Sequence, residues 1–127
     1  MSNLSPNGTA VIYEAQLALQ RLKETGASWI IYLNKMPLTP EDRLLISEVF
    51  GRGSVVIKSK GDAQPAEWIE GRIPGVWFGV YYDSKGGPLL ETLEVTLYPG
   101  YAAAQPEDLE QGLEALKIRI QDMKEAI

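Results

Sequence analysis

The stretch that most constrains the fold is GVWFGVYYDSKGGPLLETLEVTLYP, residues 75–99. Two runs rich in β-branched and aromatic residues, 76–83 and 89–98, flank a Gly-rich turn, SKGG, and predict an antiparallel hairpin. Successive side chains on a strand point to opposite faces, so parity sorts the residues. With the preceding run AEWIEGRI (66–73), one face collects Ile69, Ile73, Val76, Phe78, Val80, Tyr82, Leu89, Leu93, Val95 and Leu97. That is a core face, and amphipathic helices are expected to lie on it.

The opposite face is a different mixture: Trp68, Glu70 and Arg72, then Trp77, Gly79 and Tyr81, then Thr92, Glu94, Thr96 and Tyr98. Aromatic and arginine anchors ringed by polar groups are what interface centres use. Trp68, Arg72, Trp77, Gly79, Tyr81 and Glu94 are therefore the candidate partner-binding residues, with Gly79 leaving room for another backbone to approach. The competing arrangement has the first helix, or the apolar run SWIIYL (28–33), covering this face and turning its rings into core.

The rest of the chain supplies those helices and a further strand. Residues 1–8 are polar and read as a flexible arm, leaving 9–127 as a single α+β domain. Ile12, Ala15, Leu19 and Leu22 recur at helical spacing from Thr9 to Thr25, and Gly26 follows as a C-terminal cap. SWIIYL is either a buried strand or a packed connector. LTPEDRLLISEVFG (38–51) is a helix with Thr39 as N-cap, Pro40 in the first turn, acidic Glu41 and Asp42 at the positive dipole end, and Gly51 at the close. GSVVIKS (53–59) begins an antiparallel meander of about four strands that continues, after a polar turn at 60–65, through 66–73, 76–83 and 89–98. The glycines of GRG and SKGG lack the strand–loop–helix setting of a phosphate loop and read as turns. In the last helix, 106–127, Leu109, Leu113, Leu116, Ile120, Met123 and Ile127 form a stripe at alternating steps of four and three, read as packing against the sheet because three heptads fall short of a sustained coiled-coil seam.

Composition narrows the chemistry. A chain of 127 residues with 45% hydrophobic content can bury a core without a staple. Its net charge of −5 argues against nucleic acid and anionic membranes. The absence of Cys excludes disulfides and thiolate chemistry, and the absence of His removes the commonest general base and zinc ligand. Carboxylates remain: Glu70 and Glu94 on neighbouring strands could form an acid–base pair, but such pairs arise by chance on antiparallel sheets. No catalytic residue, metal or cofactor is expected. With no basic n-region, apolar h-region or membrane-length run, the expected location is the cytoplasm.

Three stretches, LNKMPLTPEDRLLISEVFGRGSV, IPGVWFGVYYDSKGGPLLETLEVTLYP and AAAQPEDLEQGLEAL, resemble in order and spacing the C-terminal domain of hydrogenase expression/formation proteins of the HupH/HyaF type, over about residues 33–118. The resemblance implies a non-catalytic accessory protein in maturation or assembly of nickel–iron hydrogenases, chaperone-like, acting on the iron–sulfur small subunit. A structural subunit of a hydrogenase complex, or a homodimeric interaction module, is the alternative. The family supplies no established binding residues, so the site rests on strand parity.

Overall fold

The computed structural model describes residues 3–61 and 64–126. Met1 and Ser2 of the expected arm, Asp62 and Ala63 of the 60–65 turn, and Ile127 of the last stripe lie outside the described residues.

Helix α1 (Pro6–Thr25) begins at Pro6 rather than Thr9, which takes residues 6–8 out of the expected arm. The reason lies in two local signals. Ser5 is the N-cap, its hydroxyl accepting the Asn7 N–H at 3.2 Å, and Pro6 occupies the first turn, where its missing donor is no loss. Gly26 ends the helix with φ 76°, its N–H donating to the Leu22 carbonyl at 2.8 Å. Helix α2 (Pro40–Phe50) starts as expected from Thr39, which forms a capping box with Asp42.

Asp42 does more than complement a dipole. Its carboxylate is fully buried and accepts the Ser5 N–H at 2.7 Å, the Thr39 N–H at 2.9 Å and the Ser5 hydroxyl. One side chain thus satisfies donors at the start of both helices. The approach is so close that a Cβ on Gly8 would lie 2.6 Å from Asp42 Oδ1. Desolvation pushes the Asp42 pKa up, but the hydrogen bonds from Ser5 and Thr39 outweigh it and hold the carboxyl below its ordinary value.

The sheet is antiparallel throughout, with five strands: β1 (Trp29–Tyr32), β2 (Val56–Ser59), β3 (Ala66–Glu70), β4 (Val76–Tyr82) and β5 (Pro88–Val95). Their order is β1-β5-β4-β3-β2. The meander β2 to β5 is the one expected. SWIIYL resolves as the extra strand, pairing Ile31 with Leu93 at the β5 edge.

Helices α1 and α2 cover the face that parity marks as core. Val11, Ala15, Ala18 and Leu22 from α1 and Ile46 and Phe50 from α2 bury with Ile31, Leu33, Val76, Leu93 and Val95. Phe78 packs at the margin, its ring meeting Phe50 edge-on at 6.4 Å. Leu89, Leu97 and Ile73, assigned by parity to the same face, are exposed, because Leu97 and Ile73 lie past the strand ends and Leu89 falls at a register shift between Tyr81 and Tyr82, where alternation breaks.

Helix α3 (Pro106–Ala126) departs from expectation. None of its described residues is buried, and it does not pack on the sheet. Both faces of the sheet are already occupied, by α1 and α2 on one side and by the segment after β5 on the other.

Because Asp42 has a folded-state pKa below 3.8, its stabilisation is fully present above that value and is lost as pH falls through the folded one. Asp42→Asn should therefore lower the thermal midpoint at neutral pH. Melting curves of the two proteins should approach one another as pH falls from 3.8 through the folded-state value, where wild type loses the same interaction.

Candidate interaction surface

Register sets the second sheet face out in transverse rows. Tyr32, Thr92, Gly79, Trp68 and Ile57 form one, and Ile30, Glu94, Trp77 and Glu70 the next. In the middle of the first row Gly79 has no side chain, and its neighbours lean into the space. A Cβ there would lie 2.3 Å from Thr92 Oγ1, 2.8 Å from Glu94 Oε2 and 2.9 Å from Trp68 Cδ1. The gap expected to admit a foreign backbone is filled by the chain's own side chains.

At its centre is the Glu94 carboxylate, 2% exposed. Oε2 accepts hydrogen bonds from the Thr92 hydroxyl at 2.7 Å, the Tyr81 hydroxyl at 2.8 Å and the Trp68 indole N–H at 3.0 Å. These donors are neutral, so the site solvates an acidic group without a salt bridge. Desolvation, and then the bond to Glu94, push the Tyr81 pKa well up. The phenol therefore stays protonated and remains a donor.

The second face is covered by residues 96–102. The Trp77 indole N–H donates to the Thr96 carbonyl at 3.1 Å, and Pro99 is fully buried. A short 3-10 turn, Gly100–Ala102, brings the Tyr101 ring to 5.6 Å from Trp68 and 6.0 Å from Tyr81, and the Tyr101 hydroxyl donates to the Gln64 carbonyl. Ser28 and Thr96 share a hydroxyl hydrogen bond at 2.8 Å, and Thr96 also donates to the Tyr98 carbonyl.

This corrects the expectation of an open aromatic face. Trp68, Trp77, Gly79 and Glu94 are buried and Tyr81 is half-buried. Neither α1 nor β1 makes the cover. Arg72 is separate: β3 ends at Glu70, and Gly71 N–H bonds the Val76 carbonyl to begin a turn. Strand alternation therefore stops short of Arg72, which is exposed with Nε 3.4 Å from the Arg52 carbonyl. Glu70 and Glu94 are not an acid–base pair either, since Trp77 stands between them in the row and Glu70 accepts the Gly75 N–H. Sequence parity missed Tyr101, whose aperiodic surroundings PGYAAAQ offered only an aromatic after Pro-Gly as a signal.

What remains exposed lies around the covered cluster. Leu97 and Tyr98 are 73% and 56% exposed, and Ile30 and Tyr32 line the β1 edge. Beside Leu97 opens a groove of about 700 Å³, lined also by Leu19, Lys23, Glu70, Pro74 and Gly75. Among the described residues no three carboxylates are placed to hold a metal ion, and no helix is long and apolar enough to cross a membrane.

The architecture is that of a two-sided α+β sheet domain, clad by helices on one face and by its own connecting segment on the other. The chain belongs to the family described as the HupH hydrogenase expression protein, C-terminal conserved region, whose pattern it matches over residues 6–123. It is 36% identical over 102 residues to the hydrogenase expression/formation protein HupH of Rhodobacter capsulatus, covering 80% of this chain and 35% of that protein. It is 34% identical over 97 residues to HoxQ of Azotobacter vinelandii, covering 76% and 32%. The chain thus spans about a third of the length of these curated relatives. The solved structure of the hydrogenase expression protein HupH from Thiobacillus denitrificans superposes with TM-score 0.84 at 27% identity, covering 94% of this chain and 98% of that one.

The Glu94 cluster should behave as core. Glu94→Ala removes the acceptor shared by Thr92, Tyr81 and Trp68, of which Trp68 alone keeps a second acceptor, the Tyr81 hydroxyl at 3.2 Å, and should destabilise by about 3 kcal/mol, and Trp77→Ala by about 3–5 kcal/mol. Gly79→Ala should cost about 1–3 kcal/mol through overpacking. Denaturant unfolding of each variant checks these values.

Proposed function

We propose that this chain is an accessory binding module in the maturation of a nickel–iron hydrogenase, and that it holds the iron–sulfur small subunit in the cytoplasm before assembly or export. The observation that carries this reading is the match to hydrogenase expression proteins from α1 through most of α3. A chain without Cys or His is suited to holding rather than converting its partner. Its net charge of −5 favours a basic segment on that partner, such as a twin-arginine export signal.

In this reading the six residues chosen by parity divide their roles. Trp68, Trp77, Gly79, Tyr81 and Glu94 form a rigid floor and act indirectly, while contact is made by the exposed Leu97 and Tyr98 beside the groove, with Arg72 on the neighbouring turn. Rigid aromatic anchors lose little conformational entropy on binding, which suits Tyr98 to such a contact.

Affinity purification from hydrogenase-expressing cells tests the proposal. Wild type should recover the small-subunit precursor. Leu97→Ser/Tyr98→Ser should recover about tenfold less, with a thermal midpoint close to wild type because both side chains are exposed. Recovery of the mature complex by both proteins would instead identify a structural subunit. Recovery of no hydrogenase component would end the hydrogenase reading.

A further inference from the structure

Helix α3 is 21 residues long, about 31 Å at the helical rise, and none of its described residues is buried. Leu109, Leu113, Leu116, Ile120 and Met123 form one continuous apolar seam along it, each between 41% and 62% exposed. Gly112 interrupts its interior. A helix of this length with an internal glycine and no buried residue is marginal in water. The seam supplies what would stabilise it, provided a matching surface exists.

We propose that α3 pairs with α3 of a second copy of this chain, antiparallel, through this seam. The charge pattern selects the occupant and the direction. Residues 106–116 carry four acidic side chains, Glu107, Asp108, Glu110 and Glu114, and no basic one. Residues 117–126 carry three basic ones, Lys117, Arg119 and Lys124, against Asp122 and Glu125. Antiparallel pairing sets each acidic half against a basic half and opposes the two helix dipoles. A parallel pair would abut the acidic halves and bring Arg119 beside Lys124 of the other copy.

The register follows from the seam. Leu113 faces Met123 of the second copy and Leu116 faces Ile120, which places Glu110 beside Lys124 twice, once at each end. At the two-fold centre Lys117 and Arg119 meet their own copies, with Lys117 already paired to Glu114 at 3.3 Å in its own helix. Ile118 lies outside the seam. Three heptads with this central like-charge contact make a concentration-dependent dimer rather than an obligate one. None of this rests on the hydrogenase reading, and the two can fail separately.

Sedimentation equilibrium of the isolated full chain, with helicity at 222 nm followed over the same concentration series, tests the pairing. Wild type should dimerise, and helicity should rise with the dimer fraction. Leu116→Glu should weaken association about tenfold or more by placing a charge in the seam, while tryptophan fluorescence stays native because α3 contributes nothing to the core. Lys124→Glu should also weaken association by putting two carboxylates together, and Glu110→Lys/Lys124→Glu should restore it. A protein that stays monomeric at every concentration overturns the proposal, including one whose α3 captures a hydrogenase subunit instead. A dimer indifferent to Leu116→Glu overturns the seam, and one strengthened by Lys124→Glu overturns the antiparallel direction.

Discussion

A carboxylate buried on a sheet face without a cation sets most of what surrounds it. Glu94 needs donors, and the strands deliver them from three positions: Thr92 two residues away on β5, Tyr81 on β4 and Trp68 on β3. It needs exclusion from water, which residues 96–102 provide with Pro99 and Tyr101. It needs space, which Gly79 gives up. Once these are in place the sheet has two buried faces, and the second is a polar network rather than a hydrocarbon layer. Fully satisfied networks of this kind specify a single arrangement, since any shift of register would strand a donor or the carboxylate.

That network also bears on the kind of protein this is. The six residues chosen from the sequence for their interface-like chemistry do have unusual chemistry, but most of it is turned inward. Interface centres and polar cores draw on the same side chains, because both need rings with a hydrogen-bonding handle. Only accessibility separates the two, and accessibility here is decided by the seven residues, 96–102, that follow the last strand. Membership of the family of hydrogenase expression proteins therefore does not by itself locate a contact surface, and the side chains left exposed lie at the margin of the cluster.

Much of the fold was legible in the residues. Alternation in 66–98 gave the meander and assigned Val76, Leu93 and Val95 to the helix-covered face, and Thr39-Pro40 with Asp42 gave the start of α2. Four things were not legible, each for a physical reason. Periodicity is silent on irregular segments, so the Tyr101 cover went unseen. Parity holds only while a strand continues, and β3 stops before Arg72. An amphipathic stripe shows that a helix has something to bury but not against what, so the last helix was assigned to the sheet although both sheet faces were taken. The early start of α1 was hidden by polar composition, yet Ser5-Pro6 is a capping pair in its own right.

The shared Asp42 clamp makes the beginning of the chain a matter of architecture rather than trimming. Two helix N-termini, each with a partial positive charge, converge on one side chain, so neither helix can fray from that end independently of the other. Ser5 is thus part of the packed structure although it precedes the first helix. A version starting at Thr9 would carry every buried apolar residue of α1 and still leave Asp42 buried without its Ser5 donors. The outermost of these donors, Ser5, adjoins residue 6, where the family match begins.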